Sequence, residues 1–271
     1  DKIHRKIMST FRTYFAIGGM PQVVDAYVQG KTYQEIDMVK KNILALYEED
    51  LGKYDDENNE KATAIFKAIP KQLSNHNSKF KFSGIDENAR FRNYVYSVKC
   101  IAESMIGNYC RNVTNPQITL DLYAESDNFK LFMGGTGLLI TQILSASNSG
   151  QEDLYRKIIT GHLGANLGMI FENMVAQMLR ARGYELFFHE YYYTPKGKKT
   201  EQKYEVDFLI VKDGHLCPIE VKSSAYKNHE SFDYYVEKYK PKKHERFIIY
   251  TKDLVQDNDI TFLPVYMTMC L

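Results

Sequence analysis

The sequence predicts a mixed α/β chain, α+β overall: a mainly helical first half with a winged-helix-like unit, then an α/β domain in the order helix, three strands, helix, strand. Three observations predict it. Apolar residues recur at helical spacing through the first hundred positions. Period-two alternation takes over after Tyr184. A small, polar stretch, SASNSGQE at 145–152, lies between the two patterns. Placing the boundary there divides the chain into residues 1–150 and 151–271.

In order, TYQEIDMVKKNILALYEEDLGKY opens with Thr32 and Glu35, a capping box in which each side chain satisfies the other's free amide. Ile36, Val39, Ile43, Leu46 and Tyr47 then form one apolar face. NEKATAIFKAI predicts a second helix ending at Pro70, and Phe91, Tyr94, Val98 and Ala102 predict a third over 86–105. Short strands near Tyr109–Val113 and Phe129–Met133 would supply the wing. In the second half, LGMIFENMVAQMLRARG from Leu167 is an amphipathic helix closed by Arg180, Arg182 and Gly183. YELFFHEYYY, KYEVDFLIV and HLCPIEVKSS read as strands, SFDYYVEKY as a helix, ERFIIYT as a buried strand and ITFLPVYM as a last one.

Composition bounds the function loosely. Lys and Arg total 35 against 34 Asp and Glu, a net charge of +1, which neither marks nor excludes a nucleic-acid partner. Four scattered cysteines make no CxxC pair, which argues against a zinc site or a disulfide framework and makes a reducing, cytoplasmic setting the default. No apolar run approaches the ~20 residues of a membrane span, so no membrane partner is expected, and no signal peptide is visible.

The chemistry concentrates in EVDFLIVKDGHLCPIEVKSS. Alternation puts Val206, Phe208 and Ile210 on one face of the first strand, Glu205 and Asp207 on the other; Ile219 and Val221 oppose Glu220 and Lys222 in the second. A turn at 212–215 pairs the strands and brings Asp207 near Glu220 and Lys222. Two carboxylates suit Mg²⁺ or Mn²⁺, which activates water and stabilises phosphoryl charge, and the lysine beside them serves the attacking water. Glu172, on the flank of its helix, is the fourth member of the set. An E-x-K on a strand is more often a half-exposed ion pair; order and spacing together favour a site.

Glu172, Asp207 and Glu220-x-Lys222 on this order of elements resemble the PD-(D/E)xK, or restriction-endonuclease-like, superfamily, with Val206 where many members have proline. The resemblance implies metal held by Asp207 and Glu220, with Lys222 and Glu172 as catalytic residues. IGGMPQVVDAYV, FKLFMGGTGLL, EVDFLI, IEVKSS and FLPVYM together resemble the uncharacterised C-terminal region found after an AAA-type ATPase core in bacterial and archaeal proteins. No G-x-x-x-x-G-K-[ST] occurs, so ATP would enter only through an ATPase module preceding Asp1. Two basic clusters, with Lys196, Lys198 and Lys199 in one and Lys242 and Lys243 in the other, are the candidate nucleic-acid rim, and Tyr191, Tyr192 and Tyr193 the candidate stacking residues. The expected function is a Mg²⁺-dependent nuclease domain. The alternative is a silent nuclease-fold module that binds nucleic acid or protein and regulates the ATPase.

Overall fold

The structure is a computed structural model that describes residues 2–53, 59–75, 79–146, 151–161 and 168–271. Its elements are α1 (Lys2–Ile17), α2 (Pro21–Val28), α3 (Tyr33–Lys53), α4 (Asn59–Ser74), α5 (Val95–Glu103), β1 (Gly107–Val113), β2 (Ala124–Met133), α6 (Thr136–Ala146), α7 (Gln151–Thr160), α8 (Gly168–Ala181), β3 (Leu186–Tyr193), β4 (Gln202–Lys212), β5 (His215–Lys222), α9 (Glu230–Tyr239), β6 (Phe247–Tyr250), β7 (Val255–Asp257) and β8 (Ile260–Pro264). The mixed α/β class is as expected, with helices mostly in the first half and strands in the last third.

Two compact units divide the chain, and they differ from the sequential halves. A helical unit holds 2–108 and 131–177; a sheet unit holds 109–130 and 178–271. Residues 147–150 of the expected boundary, and Leu167 at the expected start of α8, lie outside the described residues. The helices on either side of 147–150, α6 and α7, belong to one unit.

Within the helical unit, the capping box forms as expected: the Thr32 amide donates to Glu35 Oε2 at 2.8 Å and the Glu35 amide to Thr32 Oγ1 at 3.3 Å. The third helix is shorter than predicted. The Asn88 amide donates to Asp86 Oδ1 at 2.7 Å, so Asp86 caps a turn, and Arg90 is extended before α5 begins at Val95. Pro70 does not end α4, which runs on to Ser74. Buried Gln72 exchanges two hydrogen bonds with the Lys81 backbone, at 2.9 and 3.0 Å, and this tertiary clamp holds the last turn despite the proline. The glycine segments IGGMP and MGGTG pack backbone to backbone. A Cβ on Gly137 would lie 2.6 Å from the Ile17 carbonyl oxygen and 2.7 Å from Gly18 Cα, while Gly18 itself has φ +84°. Beneath this junction, fully buried Lys40 donates to the carbonyls of Ala16 (2.9 Å) and Gly137 (3.3 Å) and to the Tyr155 hydroxyl, which in turn donates to Asp37 (2.9 Å). Asn173 brackets Met133, accepting from its amide at 2.7 Å and donating to its carbonyl at 3.1 Å.

The sheet unit carries an eight-stranded mixed sheet in the order β2-β1-β3-β4-β5-β6-β8-β7. The two strands assigned to a wing belong to this sheet, β2 at its edge and β1 inside it, where β1 pairs parallel with β3, Cys110 beside Leu186. β1 is buried along most of its length, a burial that a two-stranded ribbon does not provide. From α8 the order is helix, β3, β4, β5, α9, β6, with antiparallel pairing from β3 to β5 and parallel pairing of β5 with β6. The β4–β5 hairpin turns through Asp213 (φ +49°) and Gly214 (φ +74°), the Asp-Gly pair suited to a two-residue turn with both φ positive. α9 returns the chain for the parallel pairing, and it packs Phe232 and Tyr235 onto the sheet.

Candidate functional site

On β4, Val206 and Phe208 are fully buried while Glu205 and Asp207 remain partly open, but a register shift against Phe187–His189 of β3 interrupts the expected alternation, and Val206 packs in one cluster with Leu209. β5 departs from it. Lying between β4 and β6, it is buried from Cys217 to Val221, and Glu220 is only 4% exposed beside its apolar neighbours. The hairpin is therefore not a solvated ion-pair face.

Asp207, Glu220 and Lys222 come together. Asp207 Oδ2 accepts the Val221 amide at 2.7 Å, which docks the carboxylate on β5. Lys222 Nζ lies 2.8 Å from Glu220 Oε1, and the Ser231 hydroxyl, in the first turn of α9, donates to the same oxygen at 3.4 Å. Glu220 Oε2, like Glu205 Oε2, is buried with no hydrogen-bond partner among the described residues. Burial, reinforced by the charge of Asp207 and opposed by Lys222, pushes the Glu220 carboxyl up to about 8. Leaving such an oxygen unpaired is costly, and a proton on the carboxyl or a bound cation relieves it.

Sequence reasoning missed the belt that flanks this group. Glu190 on β3 stands directly opposite Glu205 on β4, a like-charge pair that destabilises unless each has a counter-ion. Lys203 pairs with Glu190 at 2.6 Å and Lys130, from β2, pairs with Glu205. Asn128 bridges Glu125 and Glu190 at 3.0 Å each, and Asn112 donates to Glu125 at 2.6 Å. Burial raises the Glu205 carboxyl; Lys130 opposes this and Asp207 adds to it. The signal for Glu205 was present, two residues before Asp207; Lys130 and Glu190 carry none, because only the sheet order brings them there.

Among the described residues no group of three or more His, Cys, Asp and Glu side chains is arranged to hold a metal. The donor set is the two carboxylates Asp207 and Glu220, which is within the one or two that Mg²⁺ takes while keeping its waters. With the orphaned Glu220 oxygen, this set fits a hard divalent cation. Glu172 is on α8, half-buried, in the helical unit.

The basic clusters separate. The β3–β4 loop, with Lys196, Lys198 and Lys199, joins the end of β3 to the start of β4, and the antiparallel pairing puts that end of β4 alongside Lys222. Lys242 donates to His215 Nε2 at 2.8 Å, at the opposite end of β5, about 23 Å from Lys222 at ~3.3 Å per residue. Lys243 pairs with Asp259 at 2.9 Å. Tyr191 is buried and Tyr193 stacks on Tyr234; Tyr192 is 55% exposed.

Residues 8–149, just over half of the chain, match the family described as Domain of unknown function (DUF8612). The chain belongs to that family. The DUF8612 stretch contains both glycine segments of the Gly18–Gly137 junction. Residues 167–267 match a second description, Domain of unknown function (DUF4143), and contain Asp207, Glu220 and Lys222. No curated protein matches the chain. Among solved structures, the crystal structure of protein VC1899 from Vibrio cholerae is similar at 12% identity over 84% of this chain, with a TM-score of 0.25. The chain spans about half of that protein, 54%. Among the described residues no helix is long and apolar enough to cross a membrane.

Proposed function

We propose that the sheet unit is a PD-(D/E)xK nuclease-like domain that hydrolyses nucleic-acid phosphodiesters with a divalent metal. The observation that carries the reading is the buried Glu220 carboxylate, raised by burial and by Asp207, with one oxygen unpartnered beside Lys222. Asp207 and Glu220 would hold Mg²⁺ or Mn²⁺, which, when bound, supplies Lewis acidity at a phosphoryl oxygen and lowers the pKa of water. This chain's own groups do the rest. Lys222 places an ammonium next to the carboxylates to orient a water, and Ser231 holds Glu220 Oε1 from α9. The helix–β3–β4–β5–α9–β6 order supports the reading. We further propose that the chain acts in the cytoplasm, downstream of an AAA-type ATPase module, which is where the Gly18-Gly19-Met20-Pro21 resemblance points.

A second reading has its own observation. The 2.8 Å Lys222–Glu220 pair neutralises the glutamate within the chain, which suits a module that has kept the fold and binds without turnover. Calorimetric titration of Mn²⁺ into the wild type and Asp207→Ala separates the two. Saturable heat that disappears in the variant supports the metal-dependent site, and Mg²⁺-dependent nicking that disappears with it supports turnover. Heat unchanged by Asp207→Ala refutes the site.

A further inference from the structure

In the helical unit, α3, α4 and α6 pack on one another around a cavity of about 430 Å³, a volume typical of small-molecule sites. Lys41 from α3 and Lys67 and Lys71 from α4 line it, and Glu48 of α3 is the carboxylate that stands with them. Leu44 and Pro70 add an apolar wall, and every residue of the lining belongs to the helical unit.

The lysines outnumber the acids that answer them. Lys67 pairs with Glu48 at 3.0 Å, which ties α4 to α3, and Lys41 pairs with Asp37 at 3.1 Å. Buried Asp37 is also answered by buried Lys40, whose ammonium it favours. Lys71 has no ion-pair partner among the described residues. It stands one turn from Lys67, and like charges four residues apart on a helix repel. Four ammoniums, those of Lys40, Lys41, Lys67 and Lys71, thus share the carboxylates of Asp37 and Glu48. The cavity wall keeps the surplus. A second feature comes from α6. Gln142 lines the same cavity, and its Oε1 is buried with no hydrogen-bond partner among the described residues. A glutamine that served packing alone would pair that oxygen, because leaving it bare costs free energy.

We infer that this cavity binds the phosphate monoester of a small hydroxylated molecule, with the phosphate on Lys67 and Lys71 and a hydroxyl donating to Gln142 Oε1. A monoester carries a charge of about −2 near neutral pH, which matches the surplus of the wall; a carboxylate would offset half of it. Lysine ammoniums, with three rotatable donors each, suit phosphate oxygens. The volume leaves room for a carbon body beside the phosphate, and Leu44 and Pro70 are the surface on which it would lie. The inference goes beyond the phosphodiester reading and is independent of it, since no lining residue is in the sheet unit.

The test is calorimetric titration of the whole chain at fixed ionic strength, without divalent metal, using glycerol phosphate, inorganic phosphate and glycerol. Glycerol phosphate binds saturably, about fivefold or more tighter than inorganic phosphate, and glycerol does not bind. Lys71→Gln, which breaks no ion pair seen among the described residues, weakens glycerol phosphate by about fivefold or more. Gln142→Leu abolishes the preference for glycerol phosphate over inorganic phosphate and leaves inorganic phosphate binding as it was. Absence of saturable glycerol phosphate binding overturns the site, as does binding of glycerol alone. Equal affinity for inorganic phosphate would mean an adventitious ion only. Affinities unchanged in Lys71→Gln or Gln142→Leu refute the proposed contacts. None of these results alters the Mn²⁺ titration of Asp207, so the two readings fail separately.

Discussion

Lys40→Met is a sharp test of how the helical unit is held together. Lys40 is buried, donates to two backbone carbonyls and a hydroxyl, and lies beside the Asp37–Tyr155 hydrogen bond. Burial lowers its pKa from 10.5 to about 8, with Asp37 partly restoring it. A base whose folded pKa is depressed binds fewer protons when folded than when unfolded, so between about pH 8 and 10.5 stability rises with pH. At 1.36 kcal/mol per pKa unit the full span is about 3 kcal/mol, of which about 2 is realised by pH 9.5. Methionine keeps the bulk and removes the charge and the donors. It strands two carbonyls and the buried Asp37 cluster, a loss of about 3–5 kcal/mol at pH 7. Urea denaturation of both proteins at pH 7 and pH 9.5 reads the difference, and the raised tyrosines cancel because both proteins carry them. The wild-type advantage widens by about 2 kcal/mol at the higher pH. A gap that stays flat would falsify the picture of a charged, strained lysine at pH 7.

Gly137→Ala destabilises by about 2–4 kcal/mol in the same urea assay, because its Cβ meets backbone at 2.6 Å. Gly19→Ala, whose nearest neighbour at 3.3 Å is the end of the Tyr14 side chain, costs less than about 1 kcal/mol. Equal costs would mean that the junction yields. For Glu220→Gln, ten millimolar Mg²⁺ no longer raises the melting temperature, whereas the wild type gains about 1.4 kcal/mol if its Kd is near 1 mM; a shift that survives in the variant removes Glu220 from the metal's donors. Ser231→Ala leaves the fold intact and weakens Mn²⁺ binding by less than about tenfold, since its 3.4 Å bond to Glu220 is long and neutral.

What could be read from the sequence follows from what is local. The Thr32–Glu35 box and the Asp213–Gly214 turn depend on residues within a few positions of each other, and both form as expected; the alternation of β4 breaks at a register shift that its pairing with β3 imposes. The convergence of Asp207, Glu220 and Lys222 follows from one turn and one register, so it was legible too. Pro70 was misread because a buried amide nine residues away, Gln72 to Lys81, supports the turn that proline weakens. The wing was misread because β1 finds its partner across more than seventy residues, at Leu186. The same distance hides the counter-ions: Lys130 reaches Glu205 only because β2, β1, β3 and β4 lie in that order. This bears on the site itself. Glu190 and Glu205 face each other across β3 and β4, an arrangement that Lys203 and Lys130 neutralise pair by pair. Lys222 offsets Glu220, and Glu205 and Glu220 each keep one buried oxygen without a hydrogen-bond partner among the described residues. What sets Glu220 apart is its neighbour: the Asp207 carboxylate is docked on the Val221 amide beside it, and the two together are the pair of carboxylates that a divalent cation takes. For that reason Glu220, rather than Glu205, is the residue on which the metal reading stands or falls.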